Sequence, residues 1–94
     1  MSLSFTKRLR EPIRRGEITA TVRIWRGLRV RLGGRYPLPP GHVEVTRIQQ
    51  VDLSDITEEI ARATGFVDLD DLLSVARHGS GESVYLIDFV YDEA

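Results

Sequence analysis

Cysteine is absent from the 94 residues, which removes disulfides, thiolate metal centres and a cysteine nucleophile at once. Histidine occurs only twice, His42 beside a Pro-Gly turn and His78 toward a helix end, without the spacing of a zinc site. No apolar run approaches the roughly 20 residues of a membrane span, and "MSLSFTKRLREP" carries no apolar core of signal-peptide length. Phosphate-loop and nucleophile-elbow signatures are missing too: "LGGRY" and "RHGSGES" match neither G-x-x-x-x-G-K nor G-x-S-x-G. Internal repeats, linkers and low-complexity tracts are absent. The expectation is a cytoplasmic protein, a monomer or weak oligomer, with no membrane, metal or cofactor.

What is present is an ordinary folded-domain balance, 41% hydrophobic and 29% charged, enough for one domain over residues 1–94. The net charge of −1 hides an asymmetry. Residues 1–47 hold eleven Lys or Arg against three Glu, whereas residues 48–94 hold two Arg against eleven acids. Twelve of the thirteen cations are arginine, the side chain suited to bidentate phosphate contacts and to stacking on bases. The basic half suggests a nucleic-acid or other anionic partner, unless the halves interleave and neutralise each other. The charge concentrates in "ATVRIWRGLRVRLGGRY", residues 20–36, where Arg23, Arg26, Arg29, Arg31 and Arg35 alternate with aliphatics and no acid intervenes.

Periodicity lays out the elements. "SFTKRLREPIRR" predicts a short helix with Phe5, Leu9 and Ile13 on one face, bent or shortened at Pro12 and ended by Gly16. "ITATVRIW" alternates as a half-buried strand, Ala20, Val22 and Ile24 inward and Thr21, Arg23 and Trp25 outward. A hairpin with "LRVRL" through a Trp25-Arg26-Gly27 loop would pair Ile24 with Leu28, put Gly27 in the left-handed region and set Arg23 opposite Arg29. The competing reading leaves 26–34 as an open loop with arginines along its rim. Trp25, placed at the hairpin tip, is either a stacking platform or a ring folded back on the core. A short strand at Tyr36–Leu38 and a longer one over "HVEVTRIQQVDL", bulged at Thr46-Arg47, come next. Two helices follow, the first with an Asp55-x-x-Glu58 capping box and Gly65 as its stop, the second starting at Asp68 or Asp70, burying Leu69, Leu72, Leu73 and Ala76, and stopping at Gly79. His78 sits where it favours a helix dipole. "SVYLIDFVYDE" closes the chain as a strand.

The order of these segments carries a likeness. Gly16, Thr19, Thr21 and Arg23 in a G-x-x-T-x-T-x-R pattern, then "LGGRYPL", "PGHVEV", "DITEEIARATGF" and "VYLIDF", resemble the ASCH domain of the PUA-like superfamily over nearly the whole chain. The resemblance implies an α+β fold, a PUA-like β-barrel with short flanking helices, and a cleft that binds RNA or a nucleotide-like anion. One branch of that family resembles amidohydrolases of acylated cytidine, which use a lysine, a threonine and a glutamate. Thr21 stands at the threonine position, but Ile18 stands at the lysine position and Thr64 at the glutamate position. Isoleucine cannot take the lysine's part in activating the threonine hydroxyl, and the glutamate's carboxylate is missing.

Three functional readings follow. In the first, Thr21 and Arg23 line a cleft, with Trp25, Arg26, Arg29, Arg31, Arg35 and Tyr36 contacting phosphates and bases of RNA or a nucleotide. In the second, the chain is a hydrolase or RNase with Thr21 and Arg23 central and Glu58 or Glu59 as acid. In the third, it is an adaptor whose basic face meets an acidic protein.

Overall fold

Alternating β-formers and capped apolar repeats become, in the computed structural model, three α-helices and four strands among the described residues, 3–76 and 83–93. Helix α1 (Lys7–Arg14) leads into β1 (Ala20–Trp25), β2 (Arg35–Leu38) and β3 (Gly41–Val51). A 3-10 turn (Leu53–Asp55), α2 (Glu58–Ala63), α3 (Leu69–Ala76) and β4 (Ser83–Asp92) complete the chain. The class is α+β: an antiparallel sheet in the order β1-β4-β3-β2, curled into a half-barrel, with short helices around it.

The helices follow their local chemistry. Phe5, Leu9 and Ile13 are all buried. Pro12 lies inside α1 without ending it, and the chain turns away at Gly16. The expected Asp55–Glu58 capping box is replaced by two separate devices. Asp52 and Asp55 form a reciprocal box on the 3-10 turn, and the Thr57 hydroxyl accepts the Ile60 N–H at 3.1 Å to cap α2. The 3-10 turn takes up Asp55, so α2 begins three residues later. Its end is a Schellman motif: Gly65, at φ 100°, and Phe66 donate to the Arg62 and Ala61 carbonyls. Asp68 caps α3 by accepting the Asp71 N–H at 2.8 Å, and Leu72 is fully buried while Leu69 and Leu73 are partly so. The expectations for the Ala76 side chain, His78 and Gly79 lie outside the described residues.

Pairing assigns the two faces of the sheet. Thr21, Arg23 and Trp25 lie opposite Ile87, Tyr85 and Ser83, on the same face as Phe89, Val43, Val45, Tyr36 and Leu38. Ala20, Val22 and Ile24 share the other face with Val84 and Leu86. Both Thr21 and Val22 are buried, as are both Val84 and Tyr85, so the β1–β4 end of the sheet is covered on both sides. The expected polar outer face of β1 is therefore an interior one. The bulge falls where the alternation slips, between Val45 and Arg47.

The hairpin expected at Trp25-Arg26-Gly27 does not form. β1 pairs with the final strand β4, and residues 26–34 are an irregular connection, as the open-loop reading had it. Gly27 is not left-handed; among described residues the positive-φ glycines are Gly16, Gly33 and Gly65. The reason is competition. "SVYLID" at the start of β4 offers β1 six consecutive partners, whereas the hairpin would stack Arg23 against Arg29.

Candidate anion-binding site

β1 and β2 are the two edges of the sheet, and the 26–34 connection crosses from the Ser83 end of β1, at Trp25, to the start of β2, where Arg35 lies opposite Glu44. Buried Val30 anchors the crossing while Leu28 and Leu32 stay exposed. The crossing ends in defined geometry. Gly34 N–H donates to Arg31 O at 3.0 Å, and Gly33, at φ 77°, occupies the third position of a type II turn. Gly33 N–H then donates to Val45 O at 2.8 Å, and Val45 N–H donates to Gly34 O at 3.0 Å, which is a G1 bulge splicing the turn onto β3.

Gly34 has a second role. A Cβ there would come within 2.5 Å of the Tyr36 hydroxyl and 2.8 Å of its ring, so only glycine leaves room for Tyr36 to lie against the turn. The Tyr36 oxygen accepts the Arg31 backbone N–H at 3.0 Å. Over this floor opens a depression of about 500 Å³ whose lining includes Leu28, Arg29, Arg31, Arg35, Tyr36 and Pro37. Arg35 also reaches Glu44 across β2–β3 at 3.2 Å. Arg29 and Arg31 have no carboxylate partner among the described residues. Arg29 lies 5.9 Å from the Trp25 ring centroid, and Trp25 in turn stacks obliquely on Tyr85 at 6.0 Å. Trp25 is thus half-buried at the end of β1, its ring folded onto the sheet with an arginine above it.

Arg23 belongs to a different environment. Its Nε donates to Thr21 Oγ1 at 3.1 Å, a terminal nitrogen donates to Ser4 O at 2.6 Å, and the guanidinium lies 5.1 Å from the Phe5 ring centroid. Burial lowers its pKa from the ordinary arginine range to about 10, so it remains a cation at neutral pH. No carboxylate pairs with it among the described residues. The single patch expected from Arg23, Arg29 and Arg31 is therefore divided. Arg29, Arg31 and Arg35 line the pocket, while half-buried Arg23 pairs with buried Thr21 beneath the N-terminal segment. Arg26 is exposed next to Trp25 and does not line the pocket.

The remaining sequence candidates have structural work. Ile18 is core, and together with Leu9 it fills the space a Cβ at Gly65 would need. Thr64 is buried and donates its hydroxyl to the Ile60 and Ala61 carbonyls. Glu58 accepts the Leu69 N–H at 2.9 Å, joining α2 to α3, and Glu59 is exposed in the first turn of α2. Among the described residues no group of three or more His, Asp or Glu could hold a metal ion, and no helix is long and apolar enough to cross a membrane. Turn chemistry at Gly33-Gly34 is legible in the residue types, whereas buried Val30 and the bond from the Arg31 amide to the Tyr36 hydroxyl are not. Two adjacent glycines followed two positions later by a tyrosine were the available signal. Comparison with family models, with curated proteins and with solved structures returns no match for this chain.

Proposed function

We propose that this chain is a binding module for RNA or a nucleotide-like anion, built as an ASCH-type member of the PUA-like class and acting in the cytoplasm. The observation that carries this reading is the pocket between the 26–34 connection and the start of β2. Its lining includes three arginines, of which Arg29 and Arg31 lack a carboxylate partner among the described residues, and Arg29 reaches the ring of Trp25 that stacks on Tyr85. Guanidinium groups neutralise phosphates, and aromatic or arginine planes stack on unpaired bases, which together suit a single strand. The fold-family reading draws support from the order of elements and from the position of Ile18 against Gly65, next to Thr64, which brings together the two places where the amidohydrolase branch has its lysine and glutamate. With isoleucine and threonine there, the lysine and glutamate of the amidohydrolase branch are missing, and Glu58 is engaged by the Leu69 N–H.

The test is fluorescence anisotropy of labelled single-stranded RNA across a salt series. Wild-type protein should bind, and Arg29→Ala and Arg31→Ala should each weaken binding without unfolding the domain. Each should also shallow the log–log salt slope by roughly 0.7. Arg15→Ala, remote in sequence and paired to Glu17 at 2.7 Å, should change little. Equal losses from all three would indicate diffuse attraction. Absence of binding at low salt would overturn the nucleic-acid reading and leave an acidic protein as the partner to seek.

A further inference from the structure

The side chains lining the pocket divide sharply by hydrogen-bonding capacity. Arg29, Arg31 and Arg35 can only donate, and Leu28, Val30 and Pro37 can do neither. Tyr36 carries the one side-chain oxygen in the lining, and it already accepts the Arg31 N–H at 3.0 Å. Two nearby carbonyls are also taken. Arg31 O accepts Gly34 N–H, and Gly34 O accepts Val45 N–H. With its oxygen engaged this way, the phenol has its hydrogen left to give.

We propose that Tyr36 is the positioning residue of this site: it latches the Arg29–Arg31 segment through the Arg31 amide and contributes its O–H as the neutral donor of a donor-only pocket for a phosphate-type oxyanion. A ligand group with its own hydrogens to donate finds no free side-chain acceptor there. A phosphate group, with more acceptor oxygens than a carboxylate, meets only donors among these side chains and can engage several at once. The latch also explains Gly34, since any side chain at that position would displace the tyrosine ring and with it the arginine segment. That the oxyanion belongs to a nucleic acid rests on the function proposed above; the donor-only character does not.

The test uses the full chain, ¹⁵N-labelled, titrated separately with inorganic phosphate, a short single-stranded oligoribonucleotide, and acetate as monoanion control. Phosphate and oligonucleotide should shift the Arg29, Arg31 and Arg35 side-chain N–H signals and the Arg31 amide, and acetate at equal concentration should not. Tyr36→Phe keeps the ring and the core but removes the oxygen. It should weaken phosphate and oligonucleotide binding by about tenfold, the loss expected for one hydrogen bond to a charged group. It should also speed hydrogen exchange at the Arg31 amide. Gly34→Ala should reproduce both effects with the hydroxyl intact. Tyr36→Phe that binds as wild type with Arg31 still protected would overturn the proposal while leaving RNA binding in place. Phosphate binding without oligonucleotide binding would do the reverse, sinking the nucleic-acid reading and retaining the donor-only site. If wild-type protein shifts with acetate as strongly as with phosphate, or with neither phosphate nor oligonucleotide, the pocket is not a receptor for a phosphate-type oxyanion.

Discussion

Two glycines six residues apart in the basic region, Gly27 and Gly33, should respond oppositely to the same substitution. Gly33 has φ 77° and no heavy atom within 4 Å of where a Cβ would stand, so Gly33→Ala changes backbone energy and nothing else. A left-handed conformation costs a non-glycine residue about 1–2 kcal/mol. Alanine recovers about 0.4–1 kcal/mol by restricting the unfolded chain. The net loss is about 1 kcal/mol, which lowers the melting temperature by roughly 4–8 °C in a domain of this size. Gly27 has equally open surroundings but a φ outside the left-handed region. Gly27→Ala should therefore be neutral or raise stability by up to about 1 kcal/mol. Thermal melts of both variants, followed by circular dichroism beside wild type, give the comparison. If Gly27→Ala loses as much as Gly33→Ala, the left-handed residue is at the wrong place, and the 26–34 crossing with its type II turn is not the structure in solution.

Other outcomes follow from the clamp and from the missing ionisable groups. Asp71 accepts the Val67 N–H and both its oxygens lie 2.8 Å from one Arg8 nitrogen, and these contacts, the Val67 bond foremost, hold its carboxyl below the ordinary 3.8. A carboxyl lowered on folding contributes stability that is complete above its unfolded value and is lost as the pH falls through its lowered folded value. Denaturation midpoints measured from pH 6 down to pH 2 should therefore fall more steeply for wild type than for Asp71→Asn, and parallel profiles would contradict the clamp. Purified protein should show no hydrolysis of acylated cytidine above a Thr21→Ala control, since Ile18 offers no proton-transfer group; turnover above that control would mean that another residue supplies it.

Segment by segment, the legible parts were those decided by short-range chemistry. The buried stripe Phe5–Leu9–Ile13, the bulge after Val45, the stop at Gly65 and the closing strand follow from spacing and backbone preference within a few residues. The predicted basic, aromatic region is also where the pocket opens. Which residues meet was another matter. β1 takes a partner more than fifty residues away in β4 over its neighbour "LRVRL", because cross-strand complementarity depends on both strands and the sequence around one of them is silent about the other. That choice turned the face of Thr21 and Arg23 inward under Ser4 and Phe5, and it left the Arg29–Arg31 segment to meet Tyr36 on β2. Residue types along residues 20–36 determined that a concentration of guanidinium groups would exist. Only long-range strand pairing decided which of them are buried and which line a pocket, because burial and proximity are properties of the whole sheet.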